Sequence, residues 1–280
     1  MRSEISERFE ALAILPESLE GLAEGALVVA AEARPEIDVS ARLDEITALA
    51  DRVGPLVRTA SSPSAAVDGL NRALFEIEGF HGNQTHYEDP RNSFLDVVLE
   101  SRQGLPITLS VLYVEIARRL GLEAYGIGFP GHFLAKVVGI DDLPEREIIV
   151  DPFFTRTLTW NDCVERLKAA AGEDVPLDRS WLRPATAREI YVRMLNNLKL
   201  LYLRRGDGIA ALGCFDRILV LAPQAAFEVR DRGMLLERLE CILPAIEDYT
   251  RFLDLAPQHE SAPAIRLRRD ALSRRKPKLN

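Results

Sequence analysis

The chain contains 280 residues, of which 47% are apolar and 28% are charged, a balance typical of a folded globular protein. Its net charge of -8 disfavours nucleic acid as the principal partner, because binding to phosphates needs a basic surface. The longest apolar runs are well below the ~18 residues that a transmembrane helix requires, so we expect no membrane segment.

The three cysteines, Cys163, Cys214 and Cys241, are widely separated and form no CxxC motif. This spacing indicates neither a disulfide framework nor a zinc site. The charged N-terminal sequence MRSEISERFEAL is typical of a helix and not of a secretory signal. We therefore expect a cytoplasmic protein that uses no metal and no other cofactor.

Helical patterns dominate the first third of the chain. Ser40 precedes apolar residues at helical spacing, and Gly54-Pro55 is expected to end that helix. A second helix is predicted from Pro63 to Gly79. The polar segment from His81 to Asp89 is interpreted as a loop.

The pattern changes between Pro106 and Leu120, where apolar residues leave almost no polar face. This run predicts a helix that is buried nearly all round. Short extended segments follow it, separated by turn residues: Leu122–Gly128, Phe133–Val138 and Glu147–Val150. A helix that leads into consecutive strands indicates an antiparallel sheet packed on that helix, so the expected fold class is α+β.

An internal repeat occupies the last third of the chain. The segment Leu219–Pro223 recurs with one change as Leu253–Pro257, 34 residues later, which is the period of a tetratricopeptide unit. The same offset relates two further pairs, Ala211 with Ala245 and Phe215 with Tyr249. We expect α-helical hairpins over Ala187–Leu221 and Ala225–Leu255, then a capping helix after His259. The predicted domains are residues 1–183 and residues 184–280.

Positive charge is concentrated near the C-terminus, in Arg266, Arg268, Arg269, Arg274, Arg275, Lys276 and Lys278. A solvated terminal helix and tail is the favoured interpretation, and contact with an anionic partner is the alternative.

One histidine lies where it could carry chemistry. His132 follows Gly128–Gly131 and is expected to open a strand, and Asp151 ends the next apolar strand. A His and an Asp on adjacent strands can form the hydrogen-bonded pair that orients an imidazole as a general base. Each residue taken alone has a structural interpretation, as a turn aspartate and as a packed histidine.

The motifs around this pair resemble the SirB branch of the transglutaminase-like superfamily. The resemblance is carried by Asn83, Tyr87, Asp89-Pro90, Asn92-Ser93, Gln103–Ser110, Pro130–Leu134 and Asp151–Phe153. In the wider superfamily, a cysteine at the start of the central helix attacks an acyl group, and a histidine and an aspartate on the following strands activate it. The resemblance implies those two roles for His132 and Asp151. It also implies a helical N-terminal segment and C-terminal tetratricopeptide repeats.

The chain departs from that pattern at the nucleophile. No cysteine precedes Cys163, and the start of the central helix reads Leu105-Pro-Ile-Thr108. Thr108 and Ser110 are the nearby hydroxyls, and an alcohol is a far poorer nucleophile than a thiolate. Their structural interpretations are a helix-start cap for Thr108 and a small packing residue for Ser110.

Polar residues cluster before the central helix, namely Asn83, Tyr87, Asp89 and Asn92. The favoured interpretation is a hydrogen-bonded loop, because Asn and Asp commonly satisfy backbone groups in turns. The functional alternative is a binding rim beside His132.

Two hypotheses of function follow. The first is a non-catalytic scaffold or peptide-binding protein, with a regulatory role, whose tetratricopeptide helices dock a protein partner. The second is an acyl-transfer hydrolase or amidase that uses His132 and Asp151 with Thr108 or Ser110. The missing cysteine favours the first.

Overall fold

The computed structural model describes residues 2–14, 19, 21–143, 146–172 and 175–275. The chain divides into two compact units, Met1–Met194 and Leu195–Asn280. The first unit combines helices with a small sheet, and the second is built from helices. The α+β class predicted from the sequence is confirmed.

The first unit begins with helices, as expected for the N-terminal segment: α1 (Arg2–Ile14), α2 (Leu22–Ala33), α3 (Val39–Arg58) and α4 (Pro63–Asn71). Helix α3 differs from the prediction at both ends. Asp38 caps it instead of Ser40, since the Asp38 carboxylate accepts a hydrogen bond from the Ala41 N–H at 3.1 Å. Pro55 does not end it. Pro55 lies on the exposed side of the helix, where water can satisfy the carbonyl that loses its donor, while Val57 continues the buried face.

The predicted helix from Pro63 to Gly79 is confirmed, with a change of winding near its end. Ser62 caps α4 by accepting a hydrogen bond from the Ala65 N–H at 3.2 Å. Residues Arg72–Ile77 then continue as a π-helix, and Gly79 follows with a positive φ of 77°.

The segment predicted as a loop from His81 contains a short strand. Strand β1 (His81–Gly82) pairs in parallel with β2 (Gln103–Gly104). Between them lie a 3-10 helix (Pro90–Ser93) and α5 (Leu95–Ser101). Nothing in the local sequence indicates this pairing, because two residues are too few to show an alternating pattern.

The central helix, α6 (Pro106–Arg119), is buried from Pro106 to Ala117, as its composition predicted. It packs against an antiparallel sheet of strand order β3-β4-β5-β6. The bounds of these strands are β3 (Glu123–Ile127), β4 (Leu134–Val138), β5 (Glu147–Asp151) and β6 (Arg156–Leu158). The first three were predicted, and β6 was not, because Arg156-Thr-Leu158 is too short to stand out.

Helix α7 (Trp160–Ala171) follows the sheet and begins at a capping box formed by Thr159 and Asp162. Its buried residues Cys163 and Leu167 join a core cluster with residues of the sheet. After a 3-10 helix (Arg179–Leu182), α8 (Ala187–Arg204) begins.

Within the described residues, the second unit continues with α9 (Gly208–Leu221), α10 (Ala226–Arg238), α11 (Ile242–Leu255) and α12 (Ala262–Arg275). The bounds of α9 and α11 differ by 34 residues at each end, which is the offset found in the sequence. The paired positions are buried as predicted: Ala211 with Ala245, and Phe215 with Tyr249. The helical-repeat prediction is confirmed. Lys276 and Lys278 of the basic C-terminus lie outside the described residues.

Candidate functional site

The turn that carries His132 connects β3 to β4. Gly131 occupies the left-handed region with φ 67°, and the His132 N–H donates to the Phe129 carbonyl at 3.1 Å. His132 therefore lies in the turn, two residues before β4 begins at Leu134, and does not open a strand as predicted. Pro130 and Gly131 supply the turn chemistry that the sequence shows.

The predicted juxtaposition of His132 and Asp151 is confirmed. In the antiparallel pairing of β4 with β5, Ala135 lies opposite Val150, so the residue after Val150 reaches the turn before β4. The Nε2 atom of His132 and the Oδ1 atom of Asp151 are 3.0 Å apart. Nδ1 makes no hydrogen bond within the described part of the chain.

Asp151 is fully buried and is held by several donors. Its Oδ1 atom accepts hydrogen bonds from the N–H groups of Phe153 and Phe154, at 3.1 and 3.2 Å. Its Oδ2 atom forms an ion pair with Arg166. Burial acts to raise the pKa of Asp151. The opposing effects are larger, so this pKa is lowered: they are the hydrogen bond and charge of His132, the charge of Arg166 and the hydrogen bond from the Phe154 N–H.

Sequence reasoning missed Arg166. It lies on α7, and its guanidinium contacts both the Asp151 carboxylate and the face of the Phe154 ring, 5.2 Å from the ring centroid. Nothing in the local sequence marks this arginine, because its role depends on how α7 packs beside the end of β5. A carboxylate that touches both His132 and an arginine remains ionised and holds the imidazole in one orientation.

Aromatic rings surround His132. Phe154 stacks on the imidazole with centroids 5.9 Å apart, and Phe153 meets it edge-on at 6.0 Å. Tyr87 meets Phe153 edge-on at 5.8 Å. Tyr87 and Phe154 are 47% and 43% exposed, so the site presents aromatic surface to solvent.

The candidate nucleophiles point elsewhere. The Thr108 hydroxyl donates to the Asn92 carbonyl at 2.9 Å, and the Ser110 hydroxyl donates to the Phe133 carbonyl at 3.4 Å. Both residues are fully buried, and neither hydroxyl forms a hydrogen bond with His132. Cys163, also buried, is a poor substitute, since desolvation raises the pKa of its thiol to about 11.

The four residues of the predicted polar cluster divide into two groups. Asn83, Asp89 and Asn92 make hydrogen bonds within the loop: Asn83 Nδ2 donates to Asn92 Oδ1 at 3.0 Å, and Asp89 accepts from the Arg91 N–H. The Asn92 carbonyl also accepts from the Leu105 N–H at 3.1 Å, which fixes the start of α6. Tyr87 instead projects its ring to Phe153, on the side of His132.

No group of three or more His, Cys, Asp or Glu side chains that could hold a metal ion occurs among the described residues. In the same part of the chain, every helix is too short or too polar to span a bilayer.

Family comparisons agree with this architecture. A family model described as "Transglutaminase-like superfamily" matches residues 40–196, more than half of the chain. The chain belongs to the transglutaminase-like superfamily. A second family model, described as "Tetratricopeptide repeat", matches residues 198–270. No solved structure is significantly similar to the chain.

Relatives place this transglutaminase-like chain on the SirB-like branch. A "UPF0162 protein" of Xylella fastidiosa is 36% identical over 245 residues, covering 86% of each chain. A UPF0162 protein of Pseudomonas aeruginosa is 33% identical over 228 residues, covering 81% of each. "Protein SirB1" of Salmonella typhimurium is 28% identical over 195 residues, covering 69% of this chain and 71% of that protein.

Proposed function

We propose that this chain is a non-catalytic binding protein of the transglutaminase-like superfamily. In this proposal the exposed aromatic rings of Tyr87 and Phe154, together with His132, bind a peptide segment, and the tetratricopeptide helices dock a protein partner. Arrays of such helices form extended surfaces that suit protein partners. The proposed domains, residues 1–183 and 184–280, would then supply two binding surfaces on one chain, an arrangement suited to a regulatory scaffold.

The position of the hydroxyls carries this proposal. A general base must lie within hydrogen-bond reach of the group that it activates, about 2.6–3.2 Å. The hydroxyls of Thr108 and Ser110 donate instead to the backbone carbonyls of Asn92 and Phe133, and both side chains are buried. His132 and Asp151 thus keep the pairing of an active site, and neither candidate hydroxyl hydrogen-bonds the imidazole.

A second candidate function rests on that pairing. An acyl-transfer hydrolase or amidase needs an imidazole that an ionised carboxylate holds in one orientation. The His132–Asp151 contact and the Arg166 ion pair supply such a base. Ser110 is the better-placed candidate nucleophile, because its hydroxyl bonds the carbonyl of Phe133, the residue next to His132. A change of the Ser110 rotamer would be needed to bring it to the imidazole.

A substrate screen separates the two functions. We expect the wild-type chain to hydrolyse amide and ester panels no faster than the His132→Ala variant does, because the hydroxyls of Thr108 and Ser110 donate to backbone carbonyls and not to the imidazole. His86→Ala is the matched control, a second histidine replaced on an exposed loop. Turnover that collapses in His132→Ala and in Ser110→Ala or Thr108→Ala, but survives in His86→Ala, would establish the hydrolase.

Peptide selection tests the binding role directly. Peptides selected on the wild-type chain should lose affinity for Tyr87→Ala and Phe154→Ala variants, because large exposed aromatics commonly dominate binding energy. If both variants are folded, as verified by circular dichroism, and still bind the peptides with unchanged affinity, the rings of Tyr87 and Phe154 do not form the peptide-binding surface.

A further inference from the structure

A cavity of about 430 Å³ lies within the first unit, beside the turn that carries His132. Its walls come from that turn, from the 3-10 helix at Arg179–Leu182 and from the first turns of α8. The segment before α8 is fixed to the sheet, because the Ala185 N–H donates to the Gly126 carbonyl at 2.8 Å and Pro184 bridges to Ile127. The cavity therefore has a defined shape and a volume that suits a small ligand.

Aromatic and charged side chains share this cavity. Phe133, Trp181 and Ala185 supply apolar surface, and Arg183, Glu189 and Arg193 supply charge. Arg183 and Glu189 neutralise each other through two contacts, at 2.6 and 3.0 Å. Their pairing leaves Arg193 as the charge without a counterpart.

Arg193 has a defined position but no anionic partner. Its Nη2 atom donates to the carbonyls of Phe129 and His132, and its guanidinium lies over the Phe133 ring, 5.3 Å from the centroid. No carboxylate of the described residues forms an ion pair with it, and its Nε and Nη1 atoms make no hydrogen bond there. A partly buried guanidinium without an ion-pair partner costs free energy to keep charged, because it has lost part of its hydration. This desolvation lowers the pKa of Arg193.

We propose that this cavity binds an organic carboxylate whose charge is neutralised by Arg193 and whose apolar body lies against Phe133 and Trp181. The guanidinium offers two free N–H donors on Nη1 and one on Nε, and charge-assisted hydrogen bonds from such donors to a carboxylate are stronger than hydrogen bonds between neutral groups. A phosphate dianion fits less well, because one arginine balances one negative charge and Glu189 stands in the same wall. The carboxylate can belong to a free acid or to the C-terminus of a peptide.

Fluorescence of Trp181 reports on this binding. The chain has two tryptophans, and Trp160 is exposed and outside the cavity lining, so a Trp160→Phe background isolates the signal. The probes are 3-phenylpropionate, its amide, inorganic phosphate, and an acetylated tripeptide ending in phenylalanine with a free or an amidated C-terminus. We expect the free acid or the free peptide to change the Trp181 fluorescence saturably, and we expect the amides and phosphate to leave it unchanged. Binding of the acid would identify a free acid as the source of the carboxylate, and binding of the peptide would identify a peptide C-terminus.

Variants locate the site. Arg193→Gln should weaken binding at least about tenfold, because a hydrogen bond to a charged group is worth roughly 1.5–3 kcal/mol. Arg188→Gln is the matched control, since Arg188 lies on the same helix, donates to the Ala13 carbonyl and does not line the cavity. Should Arg193→Gln fail to fold, Ser180→Phe fills the mouth from an exposed position and should also weaken binding.

The proposal would be overturned if neither the free acid nor the free peptide bound saturably, if acid and amide bound equally, or if a folded Arg193→Gln or Ser180→Phe variant kept its affinity. Stronger binding of phosphate than of carboxylate would also contradict it, because the ligand class would be wrong.

Discussion

At the scale of single residues, the carboxylate of Asp151 is held by four groups. It receives two backbone N–H groups, contacts His132 and pairs with Arg166 while fully buried. The sequence predicted its contact with His132, because sequential strands joined by short turns lie side by side. It did not predict Arg166 or the free charge of Arg193, since each depends on a helix packing onto a turn that is distant in sequence.

The lowered pKa of Asp151 makes a pH-dependent contribution to stability. A carboxyl whose pKa is lower in the folded than in the unfolded chain stabilises the fold above its unfolded pKa, about 3.9, and that stabilisation is lost as the pH falls through the folded pKa. We expect the difference in unfolding free energy between wild type and Asp151→Asn to be largest near neutral pH and to shrink below about pH 4. Urea unfolding at several pH values measures it. A difference that does not change with pH would contradict the ionised state of Asp151.

Gly82 shows how closely the backbone approaches the aromatic rings. A Cβ atom at this position would lie 2.4 Å from the Phe153 ring, and the Gly82 N–H donates to the Phe153 carbonyl at 3.0 Å. We expect Gly82→Ala to cost about 1–3 kcal/mol, because Phe153 must move. Gly213→Ala is the matched control, since a Cβ there meets nothing and alanine favours the helix by about 0.5–1 kcal/mol. Urea unfolding measures the change in unfolding free energy of each variant. Equal changes would contradict the close contact between Gly82 and the Phe153 ring.

At the scale of elements, local rules predicted where helices form better than where they end. The Gly54-Pro55 pair is a strong stop signal, yet α3 continues to Arg58 because Val53 and Val57 extend one buried stripe. Packing energy of a buried face thus outweighs the loss of one backbone hydrogen bond on the exposed face. The π-helical turn at Arg72–Ile77 could not be predicted either, since its apolar spacing differs little from that of an α-helix.

Helix α12 separates a packing residue from an exposed one within one turn. Ile265 is buried in a cluster with Phe252 and Leu272, whereas Leu267 is 70% exposed. We expect Ile265→Ala to destabilise the fold by about 2–4 kcal/mol and Leu267→Ala to change stability by less than about 0.5 kcal/mol. Thermal or urea unfolding followed by circular dichroism distinguishes them. Equal losses would mean that α12 does not pack as a cap on the repeats.

At the scale of the whole molecule, the repeats were predictable almost to the residue, whereas the antiparallel sheet was predicted without its fourth strand. The match of Leu219–Pro223 with Leu253–Pro257 fixes the ends of two helices at once, because each repeat packs mainly on its neighbours. The four-stranded sheet depends on pairings between short strands, of which β6 left no local signal. The order of the predicted strands brought His132 beside Asp151, and the resemblance of the motifs added the roles expected of these two residues.

The division into two units changes the meaning of the overall charge. The sequence of Met1–Met194 contains 32 acidic and 20 basic residues, whereas Leu195–Asn280 contains 11 acidic and 15 basic residues. The isoelectric point of about 5.2 is therefore an average over two unlike parts, one anionic and one cationic. On an ion-exchange column the two parts, if separated, would bind to resins of opposite sign. Because salt screens charges over about 10 Å, the electrostatic potential at the surface of either unit depends more on that unit's own charges than on the net charge of the chain.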